Sequence, residues 1–341
     1  MMSDAEMTDA GATAVTDAVV TGIAVTDADA TGAGVGATRT HSIALIGQGK
    51  MAQAHAAAWT ALGLGDQIRY VCTPRPGSPL EDAPQARFVT DLDEVLSDPE
   101  VDIISVCSPT ATHADIAIRA LRAGKSVLLE KPIALTPAEA ERVAAVAAES
   151  EGTFMVAQVV RFFAGYRMLR ESMTDGRLGE VRAVHASRLS TPRLGETWLT
   201  DESASGGVLV DFAIHDFDQL NLFLGTPVTV TAVRGRQPGF IETTVTYADG
   251  GRGTVTTCNA MPVGYSFTSA LELTGTAESA SFAYSADTPD TPYAAQAEYF
   301  LHCVETGSSP ELCPTESAVL ALSVSLAARE SLATGRTVEL A

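Results

Sequence analysis

Residues 42–52 read Ser-Ile-Ala-Leu-Ile-Gly-Gln-Gly-Lys-Met-Ala, which is an apolar run, two glycines around one residue, and the start of an alanine-rich segment. The apolar run 42–46 is typical of a buried strand, and residues 51–62 are typical of a helix. In a turn of this kind the first glycine makes the bend and the second lets the backbone approach a phosphate. The stretch therefore predicts that a dinucleotide binds at Gly47, Gln48, Gly49, Lys50 and Met51. The alternative is a plain strand-to-helix turn.

Strands and helices alternate after this turn, and the pattern predicts an α/β Rossmann domain over residues 41–160. The predicted strands are 42–46, 68–72, 88–89, 103–107, 126–129 and 154–160, and the predicted helices are 51–62, 92–96, 114–123 and 137–150.

The pattern changes after residue 161. Strand-like runs become rich in Thr and Val, and hairpin signals occur at residues 248–251 and near Gly275. Helices are predicted over 167–173, 208–224, 294–306 and 315–334. Residues 161–341 therefore predict an α+β substrate-binding and oligomerisation domain with a large, mostly antiparallel open sheet. Because an exposed sheet face usually needs a cover, we expect a homodimer or homotetramer through that sheet.

Composition excludes several classes of partner. The net charge of −20 argues against nucleic acid and anionic membranes, which need Lys and Arg on the protein. No apolar run approaches the roughly 20 residues that cross a bilayer. The five cysteines lack metal-ligand spacing, so we expect a reducing cytoplasm and no metal site. Residues 1–40 repeat Thr-Asp-Ala and predict a disordered acidic low-complexity tail.

Two segments at predicted strand ends add to the cofactor site. The second strand is followed by Thr73 and Arg75, where NAD-binding proteins usually place an acidic residue on the ribose. Because a guanidinium pairs well with phosphate, this favours NADP slightly, with NAD as the alternative. Ser108, Pro109 and Thr110 follow the buried strand 103–107, at the sheet edge where ligands bind. His113, three residues after Thr110, is a further candidate contact with the dinucleotide, although its position is also typical of the start of a helix.

Three residues could carry proton chemistry. Lys131 follows a strand end and is one of only three lysines in the chain. Asp211 and His215 are four residues apart in the predicted helix 208–224, a spacing that places two side chains on one face. The alternatives are a surface lysine and a solvated helix pair.

Together these motifs resemble the Gfo/Idh/MocA family of NAD(P)-dependent oxidoreductases, which act mostly on sugars and cyclitols. The resemblance runs from about His41 to the C-terminus. Its carriers are Gly47-Gln48-Gly49-Lys50-Met51 with His55, Ser108-Pro109-Thr110 with His113, Glu130-Lys131-Pro132, Arg161-Phe162, and Gly206-Gly207 followed by Asp211, His215 and Asp218. Two departures are Thr73 in place of the ribose-binding acid and Phe163 where relatives often have Asn or Asp.

The resemblance implies roles for these residues. Lys131 would hold the reacting oxygen, His215 would be the general base, and Asp211 would orient the polar groups around the reacting carbon. Glu130 would join the cofactor site, and Arg161 and Trp198 would contact substrate. The stretch 198–205 resembles inositol-type members, so a cyclitol is the best single substrate. A non-catalytic regulator that binds dinucleotide and sugar, and an imine or enone reductase, are the alternatives.

Overall fold

The structure is a computed structural model that describes residues 41–192, 198, 201–285 and 290–340. Residues 1–40, for which the sequence predicts a tail, lie outside this range. Of the helices within these ranges, none has the length and apolar character needed to cross a membrane. The described part of the chain contains two β-sheets with helices packed against them.

The first sheet has six parallel strands in the order β3-β2-β1-β4-β5-β6. The strands are β1 (Ile43–Ile46), β2 (Ile68–Cys72), β3 (Arg87–Val89), β4 (Ile103–Val106), β5 (Ser126–Glu130) and β6 (Phe154–Ala157). Every residue of β1, β4, β5 and β6 is buried, as expected for a parallel sheet covered on both faces. The predicted Rossmann fold is confirmed. Its strand order reverses between β1 and β4, which is where such sheets bind ligands.

The helices of this sheet follow their sequence signals. They are α1 (Lys50–Ala61), α2 (Leu92–Leu96), α3 (His113–Arg122) and α4 (Pro137–Glu149). Thr136 and Glu139 form a reciprocal capping box at the start of α4. The prediction for the last strand was wrong at its end: β6 stops at Ala157, and a 3-10 turn over Val159–Phe162 follows. This turn directs Arg161 into a buried ion pair, described below.

The second sheet has seven strands in the order β12-β11-β7-β10-β9-β8-β13. They are β7 (Val181–Leu189), β8 (Pro227–Arg234), β9 (Phe240–Tyr247), β10 (Arg252–Cys258), β11 (Thr268–Gly275), β12 (Ser279–Ser285) and β13 (Val338–Glu339). All neighbouring pairs are antiparallel except β7 and β10. The predicted α+β unit with a mostly antiparallel sheet is therefore confirmed, and both predicted hairpins are present as β9–β10 and β11–β12.

Helices cover one face of the second sheet. The helices of this part are α5 (Ala164–Thr174), α6 (Glu202–Ser205), α7 (Val208–Asp211), α8 (Ile214–Leu224), α9 (Pro292–Thr306) and α10 (Thr315–Thr334). Buried Phe217 and Leu220 of α8 and Val324 of α10 share a core with the strands. The opposite face carries half-buried Thr231, Thr244, Thr254 and Thr256. Oligomerisation through this face stays a prediction.

The last two helices also pack against the first sheet. Phe300 of α9 meets Trp59 of α1 edge to face, with ring centroids 6.5 Å apart. Ala318, Ala321 and Leu322 of α10 belong to the core that covers the first sheet. Because α10 also contributes Val324 to the core of the second sheet, it fixes the first sheet relative to the second.

The single helix predicted over residues 208–224 is wrong, because the chain breaks between α7 and α8. The N–H of Ala213 bonds to the carbonyl of Val208, five residues back, instead of continuing the regular ladder. Residues at the break make tertiary contacts. The Phe212 ring lies 6.3 Å from that of Phe267, and the carbonyl of Asp211 accepts a hydrogen bond from Lys131. The i, i+4 argument for Asp211 and His215 therefore does not apply.

The glycine turn gives a test of the fold. Gly47 has φ +115°, and a Cβ there would lie 2.6 Å from the carbonyl oxygen of Cys107. We expect Gly47→Ala to lower the free energy of unfolding by about 1–3 kcal/mol, since such strain has that cost. Gly49 has φ −75° and open space around its Cβ position, so Gly49→Ala is the matched control. Chemical unfolding followed by circular dichroism measures both, and equal stabilities of the two variants would contradict the prediction.

Candidate functional site

The glycine turn joins the end of β1 to the first turn of α1. The N–H of Gly47 donates to the carbonyl of Cys72 at 2.8 Å, which ties the turn to β2. The first N–H groups of a helix are unpaired and carry partial positive charge, so they attract anions. A Cβ at Gly49 would meet no atom within 4 Å, so the backbone there is open to a ligand. These features fit the pyrophosphate of a dinucleotide.

The side chain of Gln48, a predicted dinucleotide contact, bonds to the β2–β3 loop, residues 73–86. Its side-chain nitrogen donates to the Ser78 carbonyl at 2.6 Å, and its oxygen accepts from the Gly77 N–H at 2.8 Å. The loop and the start of α1 enclose a cavity of about 440 Å³. The sequence analysis missed this contact because a loop with four prolines shows no periodic pattern.

Four further residues that are predicted to bind the cofactor lie at the end of β2 and at the start of α1. Thr73 is buried, and its N–H donates to the Val89 carbonyl at 2.9 Å, whereas Arg75 is exposed. Lys50 is exposed and Met51 half-buried at the start of α1. Their contacts to a dinucleotide stay predictions.

His113 joins two loops at this edge. Its ring nitrogens lie 2.7 Å from the Pro132 carbonyl oxygen and 2.9 Å from that of Ser108. Burial lowers the pKa of His113, which is 1% exposed. The side chain thus contacts the backbone of the Ser108-Pro109-Thr110 segment, and its contact with a dinucleotide stays a prediction.

Glu130 is also turned inward, against His55 of α1. The Nε2 atom of His55 lies 2.9 Å from Glu130 Oε1, and its Nδ1 atom lies 2.7 Å from Ser105 Oγ. Burial lowers the pKa of His55, but the Cys107 thiol and the Glu130 carboxylate outweigh it and raise the pKa to about 10. His55 is one of the carriers of the family resemblance, but its local pattern predicts no role, because a histidine on an alanine-rich helix is indistinguishable from an ordinary core residue.

Lys131 and Asp211 meet directly. The ammonium donates to the Asp211 carbonyl at 2.6 Å and to Asp211 Oδ1 at 2.9 Å. Both side chains are mostly buried, with 15% and 13% of their surfaces exposed. His215 lines a small cavity together with Lys131, and Gln158 and Asp218 line it as well. The structure therefore brings Lys131, Asp211 and His215 to one place, although Lys131 follows β5 and the other two lie on α7 and α8.

Arg161, which is predicted to contact substrate, forms a buried ion pair with Asp218. Its Nε donates to Asp218 Oδ2 at 2.8 Å, and its Nη1 donates to the Leu312 carbonyl at 2.8 Å. The Arg161 side chain is 3% exposed, and its contact with substrate stays a prediction. Gln158 donates to the same carboxylate, and Ser317 of α10 donates to Gln158. Arg161 thus binds Asp218, a residue that lines the cavity, without lining the cavity itself.

A second buried pair lies beside His215. Arg188 of β7 donates through Nε to Asp216 Oδ2 at 2.8 Å and through Nη2 to Oδ1 at 2.9 Å. The same guanidinium lies over the rings of Phe212 and Phe267, 5.7 and 5.8 Å from their centroids. These contacts fix the segment between Asp211 and His215 on both sides.

Trp198, the other predicted substrate residue, is half-buried. Its neighbours 193–197 and 199–200 lie outside the described residues, and its contact with substrate stays a prediction. Within the ranges that the structure describes, no group of three or more His, Cys, Asp or Glu side chains could hold a metal ion. All five cysteines are buried and unpaired.

Comparison with known proteins agrees with this architecture. The model of the oxidoreductase family with an NAD-binding Rossmann fold, GFO_IDH_MocA, matches residues 41–158. The model of the GFO/IDH/MocA C-terminal domain matches residues 166–281.

Individual relatives are similar over different lengths. Inositol 2-dehydrogenase of Rhizobium meliloti (strain 1021) is 36% identical over 148 residues, which is 42% of this chain and 43% of that protein. The chain thus spans less than half the length of this relative. The NAD(+)-dependent scyllo-inositol 2-dehydrogenase of Bacillus subtilis (strain 168) is 25% identical over 87% of this chain and 95% of that protein. The crystal structure of a myo-inositol dehydrogenase from Corynebacterium glutamicum ATCC 13032 shares the fold, with a TM-score of 0.75, 23% identity, and coverage of 88% and 99%.

The Arg161–Asp218 pair gives a stability test. Arg161→Met would leave the Asp218 carboxylate buried without its cation, and we expect a loss of about 3–5 kcal/mol in the free energy of unfolding. The matched control is Arg177→Met, which removes an exposed pair with Asp175 and costs less than about 1 kcal/mol. Chemical unfolding of both variants checks the difference, and a loss at Arg161 no greater than that at Arg177 would refute it.

Proposed function

This chain belongs to the GFO/IDH/MocA oxidoreductase family, and from that premise we propose that it transfers a hydride between NAD(P) and a secondary alcohol or ketone of a sugar or cyclitol. The observation that carries the proposal is the meeting of Lys131, Asp211 and His215 at the carboxyl end of the parallel sheet. Ligands of Rossmann folds bind at this end.

Lys131 would hold the reacting oxygen of the substrate. An ammonium has three N–H donors, and within the described contacts Asp211 uses two of them. The third is directed to the substrate, where its charge stabilises the oxygen as it becomes anionic. Asp211 keeps the ammonium at this position and balances its charge in a mostly buried site.

His215 would be the general base that takes the hydroxyl proton, and the acid in the reverse reaction. An imidazole accepts and returns protons near neutral pH, which suits both directions. The nicotinamide, when bound, accepts or returns the hydride. The glycine turn would hold its pyrophosphate through the backbone of Gly49 and the first turn of α1.

Cofactor and substrate choice are finer parts of the proposal. An exposed Arg75 and the absence of an acid at Thr73 support NADP over NAD. The similarity to inositol dehydrogenases supports a cyclitol substrate. We also propose a cytoplasmic homo-oligomer, supported by the unpaired thiols and by the threonine-rich open face of the second sheet.

A substrate panel tests the proposal as a whole. The purified protein is mixed with each cyclitol or sugar and with NAD or NADP, and the absorbance of the reduced cofactor is followed. We expect turnover with at least one polyol. Tight dinucleotide binding without turnover across the panel would favour a regulator instead. A second panel of imines and enones with NADH or NADPH tests the other alternative, and turnover in that panel alone would favour a different reductase.

Replacement of Lys131 tests its catalytic role. We expect Lys131→Met to lower kcat by about 10²–10³-fold, the usual effect of losing an electrostatic contact made in the transition state. The Kd of the reduced dinucleotide, which is measured by its fluorescence, should change less than about threefold. An unchanged kcat would remove Lys131 from the mechanism.

Replacement of Arg75 tests the cofactor preference. Loss of a charge-assisted bond to the 2′-phosphate should raise the Kd of NADP about tenfold in Arg75→Ala, which corresponds to about 1.4 kcal/mol. The Kd of NAD, which has no phosphate there, should stay within about threefold. Arg177→Ala is the surface control. An equal loss for both dinucleotides at Arg75 would sink the phosphate assignment.

A further inference from the structure

His55 and Glu130 form a buried pair, and together with Ser105 they join helix α1 to strands β4 and β5 of the first sheet. His55 lies on α1, Ser105 on β4 and Glu130 at the end of β5, and the three side chains are 2%, 0% and 4% exposed. The imidazole bonds to Ser105 on one side and to Glu130 on the other, at 2.7 and 2.9 Å. Both ring nitrogens are therefore used inside the protein.

The other carboxylate oxygen of Glu130 acts on the next residue. Glu130 Oε2 accepts the backbone N–H of Lys131 at 3.1 Å. The side chain of Lys131 then extends to Asp211, and its ammonium donates a hydrogen bond to the Asp211 carboxylate. One carboxylate thus connects the imidazole of α1 to the backbone from which the lysine side chain projects.

The pair can hold this backbone only while both members are present. A buried carboxylate without a partner costs several kcal/mol, so it turns toward another donor or takes up a proton. In either case Oε2 no longer accepts the Lys131 N–H with the same geometry. Removing the imidazole therefore releases the start of the Lys131 segment, even though His55 is not among the described residues that line the Lys131 cavity.

We propose that His55 and Glu130 are positioning residues for Lys131, which set the place of its ammonium relative to α1. The proposal rests on the proposed function, in which the dinucleotide phosphates lie at the start of that same helix. Gly49 and His55 belong to one rigid element, so the pair fixes the distance between the phosphate site and the lysine. Geometry held in this way matters, since a displacement of about 1 Å can cost about a hundredfold in rate.

Two substitutions at His55 separate the two hydrogen bonds. The amide nitrogen of glutamine occupies the place of Nε2, so His55→Gln can still donate to Glu130. The shorter asparagine reaches only the place of Nδ1, so His55→Asn can bond to Ser105 but not to Glu130. The two variants are both neutral and polar, which makes them matched.

We expect kcat to separate the variants. His55→Asn should lower kcat by about 10- to 100-fold, while His55→Gln should restore it to within about threefold of the natural protein. The dinucleotide Kd should stay within about threefold in both variants, since the glycine turn is untouched. Equal kcat values for the two variants, or a loss that follows the dinucleotide Kd, would overturn the proposal.

Lysine labelling gives a readout that needs no turnover. The chain has only three lysines, Lys50, Lys125 and Lys131, so acetylation at each can be followed by peptide mass spectrometry. A loosened Lys131–Asp211 pair should raise the labelling rate of Lys131 at least about threefold in His55→Asn but not in His55→Gln. The rate at exposed Lys50 should not change. Equal Lys131 rates in both variants would contradict the proposal even if no substrate were found.

Glu130→Gln tests the pair from its other member. The His55 ring and the Lys131 N–H face different oxygens of the carboxylate. In glutamine one of these oxygens becomes an NH2 group, which cannot accept, so the side chain cannot accept from both donors in this geometry. We expect the same fall in kcat and the same rise in Lys131 labelling as in His55→Asn, and this variant decides the matter if His55→Asn does not fold. Normal kcat and labelling in a folded Glu130→Gln protein would overturn the proposal. A natural protein inactive on every polyol, with labelling that follows the prediction, would refute the proposed function alone.

Discussion

The ammonium of Lys131 joins the two halves of this protein through its bonds to the carbonyl and carboxylate of Asp211. Lys131 follows the last residue of β5, and Asp211 ends α7, so the contact connects the edge of the parallel sheet to the segment that leads into the second sheet. A charge in a mostly buried place is stable only when it is paired. The pair lies at the point where the helix breaks after Asp211, and His215 lines the same cavity as Lys131.

Three further buried pairs surround this contact. Arg161 binds Asp218, Arg188 binds Asp216, and His55 bonds to Glu130. Each pair joins residues that are at least 28 positions apart in the chain, so each fixes one element against another. Truncation of one member leaves an uncompensated charge inside the protein, which is costly, and this gives the site a single arrangement.

The sequence predicts the parts of this protein that depend on local pattern. The strand, glycine turn and helix over residues 42–61 are where the pattern places them, as is α10. It could not predict the break at Phe212, because that residue leaves the helix for contacts with Arg188 and Phe267. Nor could it place Arg161, since a charged side chain after a strand is usually exposed. Lys131 and Asp211 were joined only through resemblance to a family, because nothing local relates residues 80 positions apart.

The most direct measurement of the proposed site is a crystal structure with NAD or NADP and a bound cyclitol. The distances to measure are those from the reacting oxygen of the cyclitol to the ammonium of Lys131 and to the ring of His215. We predict that both lie within hydrogen-bond reach, about 2.6–3.2 Å, with the carbinol carbon facing the nicotinamide. A cyclitol bound at the nicotinamide with Lys131 or His215 directed away from its reacting oxygen would contradict the assignment.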